Sequence, residues 1–215
     1  MFRFYYPIIV LCSALVWACG QQDLILPESK SLGECGEGYP AASTEKTNQT
    51  YALEEGAVFP CFLMDSVALD QETTYVSFSE LYLQAKHDKT DGTSVVIVIG
   101  AQNCPACEVL MTSLSKMADD LDDRGALMMA AVFCDNYDRT QCDFDLERAV
   151  LVAGSEGWPT DRWWVTNDAE AHFKPSFTGS FPTAIVIRLS DMNVVRIDKS
   201  PKADELFHLV NTLHK

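Results

Sequence analysis

Residues 94–107 read SVVIVIGAQNCPAC, a β-branched run followed by two cysteines that lie three positions apart. The run 94–99 is short and continuously apolar, which predicts a strand buried on both faces of a sheet. Pro105 suits the first turn of a helix, where its missing amide hydrogen costs nothing. The stretch therefore predicts a buried strand that leads into a helix, with Cys104 and Cys107 at the junction.

The rest of the chain supplies further elements around this unit. Ser77 and Glu80 form a capping-box pattern that opens a helix to about His87, and the helix that starts at Pro105 is predicted to reach about Leu121. The apolar stripe of this second helix comprises Val109, Leu110, Leu114, Met117 and Leu121. Further strands are predicted at 126–133, 183–189 and 194–197, and further helices at 143–153 and 202–213. We therefore predict an α/β fold with a central mixed β-sheet flanked by helices.

Composition and charge limit the possible partners. The chain has 215 residues, 47% of them hydrophobic, and a formal net charge of −15. This apolar content is typical of a globular protein. A surface this acidic repels phosphate backbones, so we expect no nucleic acid partner.

The N-terminus has the features of an export signal. Residues 1–18 combine a short charged start with an apolar run of about 14 residues, which is shorter than a membrane span. Cys19 follows a small residue, as in a bacterial lipobox, which predicts a lipid anchor on that cysteine; the alternative is a plain signal peptide with a chance cysteine. Residues 19–55 are rich in turn-forming and polar residues and are predicted to be a flexible tether to a domain at 56–215.

The cysteine count beyond the predicted signal peptide favours disulfides. If Cys19 carries lipid, six cysteines remain, and an even count in an oxidising compartment predicts three bridges. Cys104 and Cys107 are neighbours, Cys134 and Cys142 close a short loop, and Cys35 and Cys61 are left to pair with each other. Cys134–Cys142 is predicted to be a structural staple, with a second redox relay as the alternative.

The position of Cys104 at a helix start has a chemical consequence. Free backbone amides and the positive end of the helix dipole stabilise a thiolate there. Cys107, one turn further on, can attack a mixed disulfide formed at Cys104, which is the arrangement that thiol–disulfide exchange needs. The alternatives are a structural bridge and half of a metal knuckle. No histidine has ligand-like spacing with these cysteines, so we predict no metal site.

A second motif lies downstream, where Phe181-Pro182-Thr183 opens an apolar strand. Together with the Cys-X-X-Cys, it resembles the thioredoxin fold, and in detail the TlpA/ResA-type redoxins of the bacterial envelope. The resemblance implies a cis peptide bond at Pro182, with an ordinary trans proline as the alternative. It also implies that the backbone of Phe181 pairs with a substrate chain. Cys107 and Pro182 are 75 residues apart, which implies an insertion at about 136–176 between the central strands.

The sequence departs from this family at positions that matter for turnover. The buried acid that thioredoxins place before the motif falls on Val98, and the alternative acid after it falls on Leu110. Asn103 stands where many members carry Trp. A carboxylate normally takes the proton of the resolving thiol, so its absence argues against fast turnover. Ala101 stands where a peroxiredoxin needs Thr or Ser, which argues against peroxidase activity.

The resemblance implies an exported thiol–disulfide oxidoreductase with no dissociable cofactor. Cys104 would be the nucleophile and Cys107 the resolving thiol. Its partners would be cysteine-containing envelope proteins and an upstream thiol–disulfide electron donor or acceptor. The domain would face the periplasm from a lipid anchor, and Gly20 after Cys19 favours the outer membrane. The alternatives are a non-catalytic binding or scaffold lipoprotein with a structural disulfide, and a copper-handling chaperone.

Overall fold

The structure is a computed structural model, and every residue that it describes lies within Ser31–Lys215. Those residues are 35, 38–41, 46–47, 50–51, 53–61, 63–67, 74–88, 93–133, 146–158, 163–167 and 181–214. The predicted signal peptide with Cys19, the predicted pair Cys134 and Cys142, and much of the predicted insertion lie outside them.

The described residues form nine strands and five helices. The strands are β1 (Lys46–Thr47), β2 (Thr50–Tyr51), β3 (Leu63–Ser66), β4 (Thr74–Ser77), β5 (Ser94–Ala101), β6 (Ala126–Phe133), β7 (Trp164–Thr166), β8 (Thr183–Arg188) and β9 (Asn193–Asp198). The helices are α1 (Phe78–Asp88), α2 (Pro105–Ser115), α3 (Ala118–Asp122), α4 (Leu146–Ser155) and α5 (Ala203–Leu213).

The central sheet is mixed, as predicted. Among the described residues it has five strands in the order β7-β6-β5-β8-β9. β5 and β6 are parallel, as are β6 and β7, whereas β8 is antiparallel to both β5 and β9. Because β5 and β6 are parallel, the chain between them has to return along one face of the sheet. The helices α2 and α3 form this crossover.

Both faces of the sheet are covered. Successive residues of a strand point to opposite faces, so Val95 and Ile97 join one apolar cluster while Val96 and Val98 join the other. The first cluster includes α1 residues, and the second includes residues of α2, α3, α4 and α5. β5 is buried along its whole length, which confirms the prediction made from its β-branched run.

The helix predicted from Pro105 to about Leu121 is wrong in its extent. α2 ends at Ser115 and α3 begins at Ala118. The amide of Met117 donates to the carbonyl of Leu114 at 2.9 Å, three residues back. Such a bond tightens the last turn and ends the regular helix.

The prediction that Val109 belongs to the apolar stripe is also wrong, because Val109 is 68% exposed. The buried residues of α2 are Cys107, Leu110, Met111 and Leu114. They follow the spacing i, i+3, i+4, i+7 that defines one face of a helix, and Val109 lies outside it. The apolar stripe therefore starts at the second cysteine of the motif.

The N-terminal part of the described chain contacts the domain. Tyr39 and Leu53, which lie in the segment predicted to be a tether, pack in the first apolar cluster. The hydroxyl of Tyr39 donates to the carbonyl of Phe59 at 2.7 Å. Cys35 is bonded to Cys61 with 5.5 Å between their Cα atoms, a usual disulfide spacing.

Candidate active site

The Cys104–Cys107 pair lies where β5 ends and α2 begins. Cys104 is the N-cap residue of α2 with extended backbone angles, and Pro105 takes the first helical position. The two cysteines form a disulfide with 5.2 Å between their Cα atoms. The amide of Cys107 donates to Sγ of Cys104 at 3.2 Å. The structure thus brings together the two cysteines that the sequence singles out, with one sulfur at the free amides of a helix start.

The two sulfurs differ in access to solvent. Cys107 is fully buried, whereas Cys104 is half-buried and its neighbours Pro105 and Ala106 are exposed. An attacking thiolate reaches a sulfur along the S–S axis and needs an open approach to it. The geometry therefore leaves Cys104 as the more accessible sulfur and keeps Cys107 inside the protein.

The electrostatic environment of Cys104 favours a thiolate on reduction. Its Sγ accepts a backbone N–H, and the positive end of the α2 dipole adds to this stabilisation. A helix N-terminus lowers the pKa of a cysteine thiol for these two reasons. Glu108 in the first turn carries the opposing charge, but its side chain is exposed and therefore screened by solvent.

Pro182 lies at the same end of the sheet as the two cysteines. The peptide bond between Phe181 and Pro182 is cis, as the family resemblance implies. Thr183 of β8 pairs with Ile99 of β5 in antiparallel register, so residues 181 and 182 lie beside the end of β5. Pro182 is buried and Phe181 is half-buried. The structure therefore places the predicted substrate-positioning residues next to the motif.

The space behind Cys107 is filled by a residue from the predicted insertion. Trp158 is 4% exposed, and its ring covers Gly100 of β5 so closely that an added Cβ would lie 2.7 Å from it. The same Cβ would lie 3.3 Å from Cβ of Cys107. Trp158 is thus a core residue that packs beside the motif, and Trp163 is buried as well.

Glu156 is a residue of this region that the sequence did not reveal. It follows α4 directly, and its Oε1 accepts a hydrogen bond at 3.0 Å from the amide of Asn103, the residue before Cys104. The acid positions of the family are apolar and buried at Val98 and Leu110, as expected. No local signal identifies Glu156, because 53 residues separate it from Asn103 and only the packing of α4 brings them together.

The similarity of this chain to known proteins lies in its structure. No family model matches the sequence, and no curated protein matches it. A protein from Chlorobium tepidum named as a thiol:disulfide interchange protein DsbE is 14% identical, with a TM-score of 0.56 over 76% of this chain and 100% of that chain. The thioredoxin domain of a thiol-disulfide oxidoreductase from Bacteroides vulgatus gives 14% identity and a TM-score of 0.50, again over 76% and 100%. A protein from Neisseria meningitidis named as a thioredoxin is 20% identical, with a TM-score of 0.50 over 72% of this chain and 87% of that chain.

These likenesses identify the architecture. The chain has a thioredoxin-like fold, with its Cys-X-X-Cys at the start of a helix and a cis proline beside it. At identities of 14–20% the similarity shows the fold alone. Within the residues that the structure describes, no helix is both long enough and apolar enough to cross a membrane.

Proposed function

We propose that the protein is a thiol–disulfide oxidoreductase that exchanges the Cys104–Cys107 disulfide with cysteine pairs of other proteins. The observation that carries this proposal is the asymmetry of the pair. A half-buried sulfur at a helix N-terminus is bonded to a fully buried one, near the end of the sheet where the half-buried Phe181 and the buried Pro182 lie. Thiol–disulfide exchange needs one accessible thiolate and one thiol held in reserve.

The exchange takes place in two displacements. In the reducing direction, the Cys104 thiolate attacks a substrate disulfide, and one substrate sulfur leaves as a thiolate. The Cys107 thiolate then attacks Sγ of Cys104, which re-forms the internal disulfide and releases the second substrate thiolate. Two electrons pass from the protein dithiol to the substrate disulfide, and two protons complete the substrate thiols. The reverse sequence oxidises a substrate dithiol.

The substrate is a segment of another protein that carries a cysteine pair. The backbone of Phe181, next to the end of β5, would pair with that segment in the manner of an added strand. An upstream thiol–disulfide donor or acceptor would return the pair to its starting redox state, and no dissociable cofactor is required.

The proposal includes a cellular location. Residues 1–18 would direct export, and Cys19 would carry the lipid anchor. The domain would then face the periplasm from the membrane, with Gly20 favouring the outer one, and its partners would be envelope proteins. Cys134–Cys142 would be a structural bridge of the inserted segment.

The first test is the reduction potential of the pair in the full chain. The protein is equilibrated in thiol buffers of known potential, free thiols are alkylated, and the tryptic peptide 90–116 is weighed, because it contains Cys104 and Cys107 and no other cysteine. We expect a value in the range of about −120 to −270 mV that the known exchange catalysts span. A value below about −300 mV, with Cys104 unreactive, would mark a structural bridge.

A second candidate function is a binding or scaffold protein that keeps the fold and uses the disulfide as a staple. The apolar residues at both acid positions, Val98 and Leu110, favour it. A trapping experiment separates the two functions. Cys107→Ser should accumulate mixed disulfides with envelope proteins through Cys104, whereas the matched Cys104→Ser variant should accumulate none. Absence of trapped partners in both variants would support the scaffold.

A further inference from the structure

Glu156, which is distant in the sequence, contacts the loop before Cys104. Glu156 lies in the predicted insertion, directly after α4, and its Oε1 accepts the amide of Asn103 at 3.0 Å. Asn103 has a φ of 57°, in the left-handed region of backbone conformation that is uncommon for residues other than glycine. The hydrogen bond fixes this uncommon conformation immediately before the N-cap of α2. This carboxylate therefore anchors the turn that joins β5 to Cys104.

The second oxygen of Glu156 indicates that the contact is more than a surface capping bond. Oε2 is buried and has no hydrogen-bond partner among the residues that the structure describes. A carboxylate is an acceptor-only group when ionised, and a buried oxygen without a donor keeps its charge poorly screened. Trp158, two residues further on, is buried and packs beside Cys107. The carboxylate of Glu156 is thus held against the residue that precedes Cys104, with one oxygen on the Asn103 amide and the other out of contact with solvent.

We propose that Glu156 is a positioning residue of the Cys104–Cys107 pair, and that its charge sets the redox equilibrium of the pair. This inference rests on the proposed thiol–disulfide exchange. A negative charge near Cys104 disfavours the thiolate that forms on reduction, whereas it leaves the neutral disulfide unaffected. Glu156 therefore shifts the pair toward the disulfide and makes the reduced protein a stronger reductant. Glu156 thus supplies a carboxylate near the motif from a third position. The two positions at which thioredoxins carry an acid are Val98 and Leu110 in this chain.

Two substitutions separate the charge from the hydrogen bond. Glu156→Gln keeps an oxygen that can accept the Asn103 amide but removes the charge. Glu156→Ala removes both. Glu147→Gln is the matched control, because it removes an exposed carboxylate from the first turn of α4, the helix that Glu156 follows, about 14 Å away at 1.5 Å per residue.

The readout is the equilibrium constant with glutathione, measured on the full chain by alkylation and the mass of peptide 90–116. We expect Glu156→Gln to shift the constant toward the dithiol by about threefold to tenfold, where tenfold corresponds to 29.6 mV for a two-electron couple. Glu156→Ala should show the same shift and should also exchange more slowly, because the turn before Cys104 loses its anchor. Glu147→Gln should match the wild type.

The outcomes distinguish the two proposals. If the wild-type pair does not equilibrate with thiol buffers, the proposed function fails. If the wild type equilibrates and Glu156→Gln has the same constant within twofold, the function stands and the role of Glu156 is overturned. A purely structural role would lower the urea midpoint of the variants without moving this constant, so denaturation curves for all three variants complete the test.

Discussion

The two disulfides of the described chain lie in contrasting settings. Cys104 and Cys107 are three residues apart at a helix start, with one sulfur half-buried, whereas Cys35 and Cys61 are 26 residues apart. In the chain-entropy model, a loop of about 27 residues restricts the unfolded chain by about 3.5 kcal/mol and a loop of about four by about 2 kcal/mol. The longer bridge is therefore expected to contribute more to stability, and the shorter one is the pair that we propose takes part in exchange. Each of the predictions below tests one side of this contrast.

The largest expected effect is the loss of exchange on replacing Cys104. Cys104→Ser should abolish turnover of a disulfide substrate by the reduced protein, because Cys107 is fully buried and cannot replace it as the attacking thiolate. The measurement is the rate at which the reduced chain reduces a fluorescent glutathione disulfide. The double replacement of Cys35 and Cys61 by Ser should keep the wild-type rate. Equal loss in both variants would remove the functional difference between the two pairs.

The second effect is on stability, to which the Cys35–Cys61 bridge should contribute more than the Cys104–Cys107 bridge. Replacing Cys35 and Cys61 by Ser should lower the free energy of unfolding by about 3 kcal/mol, more than replacement of Cys104 and Cys107, which should cost about 2 kcal/mol or less. Urea denaturation of the full chain with both pairs oxidised in the reference gives the comparison. An equal or reversed order would mean that the segment around Cys35 is not held by this bridge.

The third effect concerns the packing behind Cys107. Gly100→Ala would place a Cβ 2.7 Å from the Trp158 ring, and overfilling a packed core costs about 1–3 kcal/mol. Gly154→Ala is the matched control, because nothing lies within 4 Å of its Cβ position inside α4. That change should be neutral or stabilising by up to about 1 kcal/mol. Thermal unfolding of both variants tests this, and equal values would show that Trp158 can move away without cost.

The part of the fold near the motif could be predicted because its signals are local. The β-branched run of β5, Pro105 at the first helical position and the apolar pattern of β6 each identify an element without reference to the rest of the chain. The paired cysteines then mark the site. The break between α2 and α3 could not be predicted in this way, because the apolar spacing continues through it to Leu121.

The missed features are tertiary. Glu156 contacts Asn103 only because α4 packs on the same face of the sheet as α2, and no sequence spacing relates the two residues. Similarly, the polar composition of residues 19–55 predicts a tether, yet Tyr39 and Leu53 are apolar residues that the domain covers. A few buried contacts outweigh composition at such positions.

The smallest effect concerns the contact that holds the N-terminal segment beside the Cys35–Cys61 bridge. Tyr39→Phe removes the hydrogen bond to the carbonyl of Phe59 and should cost about 1 kcal/mol. Burial and the nearby Tyr82 raise the pKa of Tyr39 well above its ordinary value of 10.0. Above that value the unfolded chain loses this proton while the folded protein keeps it, so the contribution of Tyr39 to stability is present at lower pH and falls as the pH rises.

The pH dependence distinguishes this contact from a simple loss of packing. The difference in unfolding free energy between the wild type and Tyr39→Phe should shrink as the pH rises above about 10, because only the wild type has this proton to lose on unfolding. Urea denaturation at pH 8 and at pH 10.5 measures it, with Tyr82→Phe as a control for the edge-on ring pair at 5.4 Å. A constant difference at both values would mean that Tyr39 is solvated like an ordinary surface tyrosine, and that its hydroxyl is not held by the domain beside the Cys35–Cys61 bridge.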